Sequence, residues 1–83
     1  MRAERSTPPP IRVVIADDHA VVREGVRAVL EADAGFVVVA EASDGVDAER
    51  RVNELRPDVL ILDLSMPGAA GATIELRDTI LWS

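Results

Sequence analysis

The 83-residue chain has no cysteine and no lysine. Without cysteine there are no disulfides, thiolate metal sites or thiol nucleophiles, which fits a reducing compartment. Without lysine, arginine supplies all nine basic residues, against fifteen acidic ones, for a formal net charge of −6. Such a balance offers no basic face for phosphate neutralisation and argues against direct nucleic-acid binding by this segment. No apolar run approaches the roughly 20 residues of a membrane span, and Met1 to Pro10 has no apolar signal-peptide core. The expected location is therefore the cytoplasm, with no membrane partner. Glycine-rich phosphate loops are also missing. No Gly-x-Gly-x-x-Gly follows the first apolar run, and there is no Walker-type Gly-Lys pair, so nucleotide binding is set aside.

What is present is a globular balance of 48% apolar and 29% charged residues. At this length about 60–65% of the unfolded chain's surface is buried on folding, which implies one domain with a modest core. Residues 1–10 are polar, end in Pro8-Pro9-Pro10 and read as a mobile N-terminal leader before a domain over 11–83. Ile11 to Ala16 is short, β-branched and almost continuously apolar, the signature of a parallel strand covered on both faces. From Ala20 to Ala32, Val22, Val26, Val29 and Leu30 recur at helical spacing and predict an amphipathic helix. Phe36 to Glu41 predicts a second strand. Ser43 or Asp44 caps a helix from about Val46 to Arg56, with Ala48, Val52 and Leu55 on one face and Pro57 at its end. Val59 to Leu62 predicts a third strand closed by Asp63, and Ala70 to about Leu81 is read as a third helix. Strand, helix, strand, helix, strand is the pattern of an open α/β fold with a parallel sheet and right-handed crossovers.

In such sheets ligands bind outside the carboxyl ends of the strands, where the strand order reverses. Asp17 and Asp18 follow the first strand and Asp63 ends the third, so neighbouring strands would crowd three carboxylates at one edge. A lone aspartate there reads as a solvated loop acid or a helix cap. An adjacent pair plus an acid closing a wholly apolar strand points to a site instead. Carboxylates this close either share protons or bind a cation, and a hard divalent ion such as Mg²⁺ suits oxygen donors. Mg²⁺ would in turn support an aspartate nucleophile attacking phosphorus in line. His19, beside the acids, reads as a helix-starting or locally bonded residue rather than a ligand, since a neutral imidazole adds little to an oxygen site. Trp82 reads equally well as a cover for apolar surface or as a partner contact.

Three stretches carry a family resemblance over Ile11 to about Arg77: Ile-Ala-Asp-Asp-His at 15–19 with Arg23 and Gly25, Ala-Glu-Ala-Ser-Asp-Gly at 40–45, and Leu-Asp-Leu-Ser-Met-Pro-Gly-Ala-Ala-Gly at 62–71. In this order they resemble the receiver domains of two-component response regulators, in the NarL and LuxR-like branch. The resemblance implies a flavodoxin-like, CheY-like parallel sheet of five strands, of which this chain is expected to supply three. It makes Asp63 the phosphoacceptor and Asp17 and Asp18 the acidic pair holding Mg²⁺, with Asp18 the more direct ligand. Ser65 matches the position whose backbone carbonyl completes the metal site, so its side chain is expected to be free to vary. Met66, Pro67 and Gly71 shape the loop.

The implied activity is that of a phosphoacceptor, not an enzyme, receiving its phosphoryl group from a sensor histidine kinase. The hydroxyl, lysine and aromatic residues that the family places on its later strands have no expected counterpart here. Thr73 and Thr79 come too early, and Thr79 to Ser83 reads as an interrupted or truncated end. The third strand is then expected to be an unpaired, aggregation-prone edge. A second reading follows: a non-catalytic fragment or gene remnant that pairs with a kinase, with itself or with a full-length regulator. A haloacid-dehalogenase-like phosphatase also uses a strand-end aspartate, but His19 occupies the second acid of its Asp-x-Asp.

Overall fold

The structure, a computed structural model, describes residues 8–69 and 78–82. Its elements in chain order are β1 (Ile11–Ala16), α1 (Ala20–Glu31), β2 (Phe36–Ala42), α2 (Gly45–Leu55), β3 (Val59–Asp63) and β4 (Asp78–Trp82). The strands form one sheet in the order β2-β1-β3-β4, and each adjacent pair is parallel. The pattern of apolar runs predicted the parallel sheet, and its strand order is the flavodoxin-like one that the family resemblance implies. The chain steps from β1 to β2 on one side and to β3 on the other, so the order reverses between β1 and β3.

β1 is central because its side chains suit burial on both faces: Val13, Val14, Ile15 and Ala16 are essentially inaccessible. Val14 and Ala16 join Leu60 and Leu62 of β3, Ala42 of β2, and Ala48 and Val52 of α2 in one core cluster, closed by Met66 and Ala69. Side chains alternate along a strand. Val13 and Ile15 therefore face the other side, where Glu41, the register partner of Ile15, meets α1 through Arg23 and Arg27. A register shift between Val13 and Val14 moves β2 by one residue and brings Ala42 level with Ala16 at the carboxyl edge.

Three expectations are corrected. The run read as a helix over 70–81 ends in a strand, with 70–77 lying outside the described residues. Asp78–Trp82 pairs with β3 in register from Val59↔Asp78 to Asp63↔Trp82. The expected count of three strands becomes four, and β3 has a neighbour on both sides, so it is not an unpaired edge. The physical reason is that Thr79-Ile80-Leu81-Trp82 is β-branched and aromatic, which favours a pleated surface over a helix, and its pairing fills the backbone groups β3 would leave open. The apolar stripe expected on α1 is also only partly covered. Val26 and Leu30 are half-buried, whereas Val22 is exposed and Val29 is 74% exposed. Among the described residues α1 packs on β1 and β2, and Ile80 on β4 is exposed as well.

α2 is fixed at both ends. Asp44 caps it by accepting the Asp47 amide at 2.7 Å. Arg56 ends it in the left-handed region at φ 50°. The Arg12 guanidinium, reaching from β1, donates to the carbonyls of Leu55 at 2.7 Å and Arg56 at 2.9 Å, satisfying groups that a helix C-terminus leaves open.

Candidate functional site

The acids of the sequence analysis converge at the carboxyl edge. Asp17 leaves β1 with its amide donating to the Ala42 carbonyl of β2 at 3.0 Å, so the strand pairing extends to this residue. Its carboxylate is 1% exposed and accepts the His19 amide at 2.8 Å. Asp63, the last residue of β3, is 3% exposed; its Oδ1 accepts both the Ser65 amide at 2.9 Å and the Ser65 hydroxyl at 2.8 Å. Asp18 is partly open to solvent. The His19 Nδ1 lies 3.0 Å from one oxygen of Asp17, 3.0 Å from one of Asp18 and 4.0 Å from the Asp63 Oδ2. Potential ligand atoms of Asp17, Asp18, His19 and Asp63 all lie within 4.8 Å of one another.

Burying two aspartates is costly unless their charge is compensated. The Ser65 amide and then its hydroxyl hold Asp63 below the ordinary carboxylate range, with smaller help from His19 and Asp17, and these effects outweigh its burial. His19 is raised above the ordinary imidazole value, first by its bond to Asp17 and then by the charge of Asp18. When protonated, the imidazole is a counter-charge within the cluster, while its residue sits at the N-cap position of α1 without a side-chain capping bond.

The loop after β3 is held from two sides. Met66 donates to the Asp63 carbonyl and Ala69 to the Met66 carbonyl, both at 3.1 Å, and the Met66 and Ala69 side chains anchor in the core. Gly68 adopts φ 80°, which favours glycine. The Gly45 amide at the start of α2 donates to the Pro67 carbonyl at 2.7 Å, and a Cβ on Gly45 would fall 2.1 Å from the Gly68 oxygen. Gly71 lies outside the described residues.

Asp17, Asp18 and Asp63 are therefore brought together, and Ser65 sits against Asp63. Sequence reasoning missed the contribution of the Ser65 side chain, expected to be dispensable, which donates to Asp63. It also missed the close approach of Gly45 to the loop, whereas His19 starts α1 and bonds locally to Asp17, as its place beside the acids suggested. Only the first had a local signal: a serine two residues after an aspartate reaches back to its carboxylate.

A family model described as the response regulator receiver domain matches residues 13–77. The oxygen regulatory protein NreC of Staphylococcus epidermidis is 60% identical over 72 residues, 83% of this chain and 33% of its own length. NreC of Staphylococcus aureus is 50% identical over the same shares. Among solved structures, the signal receiver domain of the putative response regulator NarL from Mycobacterium tuberculosis has a TM-score of 0.72 at 44% identity, over 74% of this chain and 49% of that one. The complex of the P1 domain of CheA3 with CheY6 from R. sphaeroides gives 0.67 at 31% identity, over 72% and 47%. The chain spans about a third of the length of the curated relatives it matches. Among the described residues, no helix is long and apolar enough to cross a membrane.

Proposed function

Because the chain belongs to the response-regulator receiver family, we propose that it serves two-component signalling by accepting a phosphoryl group on Asp63 from a sensor histidine kinase in the cytoplasm. In this reading residues 11–83 are the receiver portion and 1–10 a leader, of which 1–7 lie outside the described residues. The observation that carries it is the gathering of Asp17, Asp18 and Asp63 within 4.8 Å at the edge where the strand order reverses.

The donor set fits Mg²⁺. It consists of carboxylate oxygens, two of the acids are buried, and three negative charges meet a single imidazole. Asp17, Asp18, Asp63 and the Ser65 backbone carbonyl would hold the ion, with Asp18 the more direct ligand of the pair. When bound, Mg²⁺ supplies charge neutralisation for the phosphoryl oxygens. The remaining work falls to the chain's own residues. Ser65 favours the ionised form of Asp63 and donates to its Oδ1, leaving Oδ2 as the oxygen without a serine donor. Attack by Asp63 forms an O–P bond as the N–P bond of a phosphohistidine donor breaks, and the imidazole leaving group takes up a proton. The product is an acyl phosphate. The solved complex of the P1 domain of CheA3 with CheY6 supports a protein partner of this kind.

A second reading, a non-catalytic fragment that pairs with a kinase or a full-length regulator, draws on the exposed Val21, Val29 and Ile80. One assay separates the two. With a small-molecule phosphodonor and Mg²⁺, phosphoacceptor function gives an acid-stable, base-labile label that disappears in Asp63→Asn. A label unaffected by that substitution, or none on the folded wild type, contradicts it.

A further inference from the structure

We propose that Arg23 is a positioning residue for the metal-holding acid pair, fixing the Asp17–Asp18 peptide through the Asp17 carbonyl. This deepens the reading of Asp17 and Asp18 as the residues that hold Mg²⁺ and rests on it. The Arg23 guanidinium comes from the first turn of α1 and donates from Nη1 to the Asp17 carbonyl at 2.6 Å. Its Nε donates at 3.1 Å to Glu41 Oε1, at the carboxyl end of β2. One planar, permanently charged group thus ties the β1–α1 loop to β2, a geometry that a lysine's single ammonium does not reproduce.

The bond matters because of the peptide it holds. Asp17 is already fixed at its amide by the Ala42 carbonyl and at its carboxylate by the His19 amide. Asp18 is open to solvent, and the exposed His19 imidazole lies 3.0 Å from its carboxylate. The plane of the peptide between Asp17 and Asp18 sets the direction in which the Asp18 side chain leaves the backbone, and that plane is held by Arg23. Glu41 in turn holds Arg23, and its second oxygen accepts from Arg27 Nη1 at 2.5 Å. Arg27 shares helix, charge and carboxylate partner with Arg23 but has no bond to Asp17, which makes it the natural control.

The sign of the effect separates positioning from plain electrostatics. Removing a positive charge beside a cation site strengthens cation binding by Coulomb's law. Losing the hold on Asp18 weakens it, and groups that orient metal ligands are typically worth about 10- to 100-fold in affinity. The experiment is a calorimetric Mg²⁺ titration of the whole chain as wild type, Arg23→Ala, Arg23→Lys and Arg27→Ala. Circular dichroism monitors folding, and the backbone amide resonance of Asp18 is followed in metal-free buffer. The expected result is a Kd raised at least about tenfold in Arg23→Ala, partly recovered in Arg23→Lys, and unchanged or lowered in Arg27→Ala. The Asp18 amide should shift in the Arg23 variants only. Unchanged or tighter binding in Arg23→Ala, or equal weakening in Arg27→Ala, overturns the proposal. If Arg23→Ala does not fold, Arg23→Lys against Arg27→Ala decides by the same criterion. Wild type that folds but binds no Mg²⁺ overturns the metal reading itself, and the Asp18 resonance then decides whether Arg23 holds that peptide.

Discussion

Replacing Gly45 by alanine is the sharpest structural perturbation available, because the new methyl group has nowhere to go. An ideal Cβ there lies 2.1 Å from the Gly68 oxygen, 2.3 Å from its carbonyl carbon and 2.7 Å from the Ala69 nitrogen. All three are backbone atoms, so no rotamer change relieves the overlap, and the Pro67–Ala69 segment must retreat by more than an ångström to reach ordinary contact. That retreat breaks the 2.7 Å bond from the Gly45 amide to the Pro67 carbonyl, worth about 0.5–1.5 kcal/mol. Overpacking adds about 1–3 kcal/mol, and the better helix propensity of alanine returns at most about 1 kcal/mol. The net loss centres near 2.5 kcal/mol, or about 10–20 °C in melting temperature for a domain of this size. The same retreat drags the loop that carries Ser65, so phosphoryl labelling at Asp63 should fall along with stability. Far-UV circular dichroism melts of Gly45→Ala and Gly25→Ala test this directly. A Cβ at Gly25 meets nothing within 4 Å, so that exposed helical site should gain up to about 1 kcal/mol. Equal melting temperatures for wild type and Gly45→Ala would refute the reasoning.

Other consequences are smaller but equally definite. Arg56→Gly should stabilise the chain by about 0.5–1 kcal/mol, seen as a higher urea midpoint, because glycine adopts the left-handed C-cap without strain while keeping the carbonyl that Arg12 binds. Asp44→Ala removes the cap on the Asp47 amide and should cost about 1 kcal/mol in the same assay. In metal-free buffer His19 should titrate by NMR above its ordinary value, because Asp17 and Asp18 favour its charged form. Its stabilising contribution is complete below the unfolded-state pKa and is lost as pH rises through the raised folded value. Stability should therefore decline across that window in wild type, and the His19-dependent part of the decline should vanish in His19→Asn.

The sheet's centre and its acids were readable because their signals are local. β1 and β3 are continuous apolar runs, the form that burial on both faces demands, and Asp17, Asp18 and Asp63 announce themselves by closing those runs. β4 was not readable as a strand. Its short run also offers residues at helical spacing, and what decides for a strand is its pairing with β3, a contact made far along the chain. The covering of α1 was overestimated for a related reason: periodicity reports which face is apolar, whereas Val29 shows that it does not report whether anything lies against that face. Within the site, the Arg23 bridge spans 6 residues to Asp17 and 18 to Glu41. The Gly45–Gly68 approach joins two loops from opposite ends of α2 and β3. Such contacts follow from the assembled topology and leave no pattern in the composition of either segment.

The central claim is that Asp63 takes the phosphoryl group, and the most direct test reads that residue itself. The folded chain, treated with a small-molecule phosphodonor and Mg²⁺, is reduced with borohydride, which converts an aspartyl phosphate to homoserine, and is then sequenced by tandem mass spectrometry. The account predicts homoserine at position 63 and none when Mg²⁺ is omitted. Modification at another residue, or an unmodified residue 63 in a folded chain that binds Mg²⁺, would contradict it.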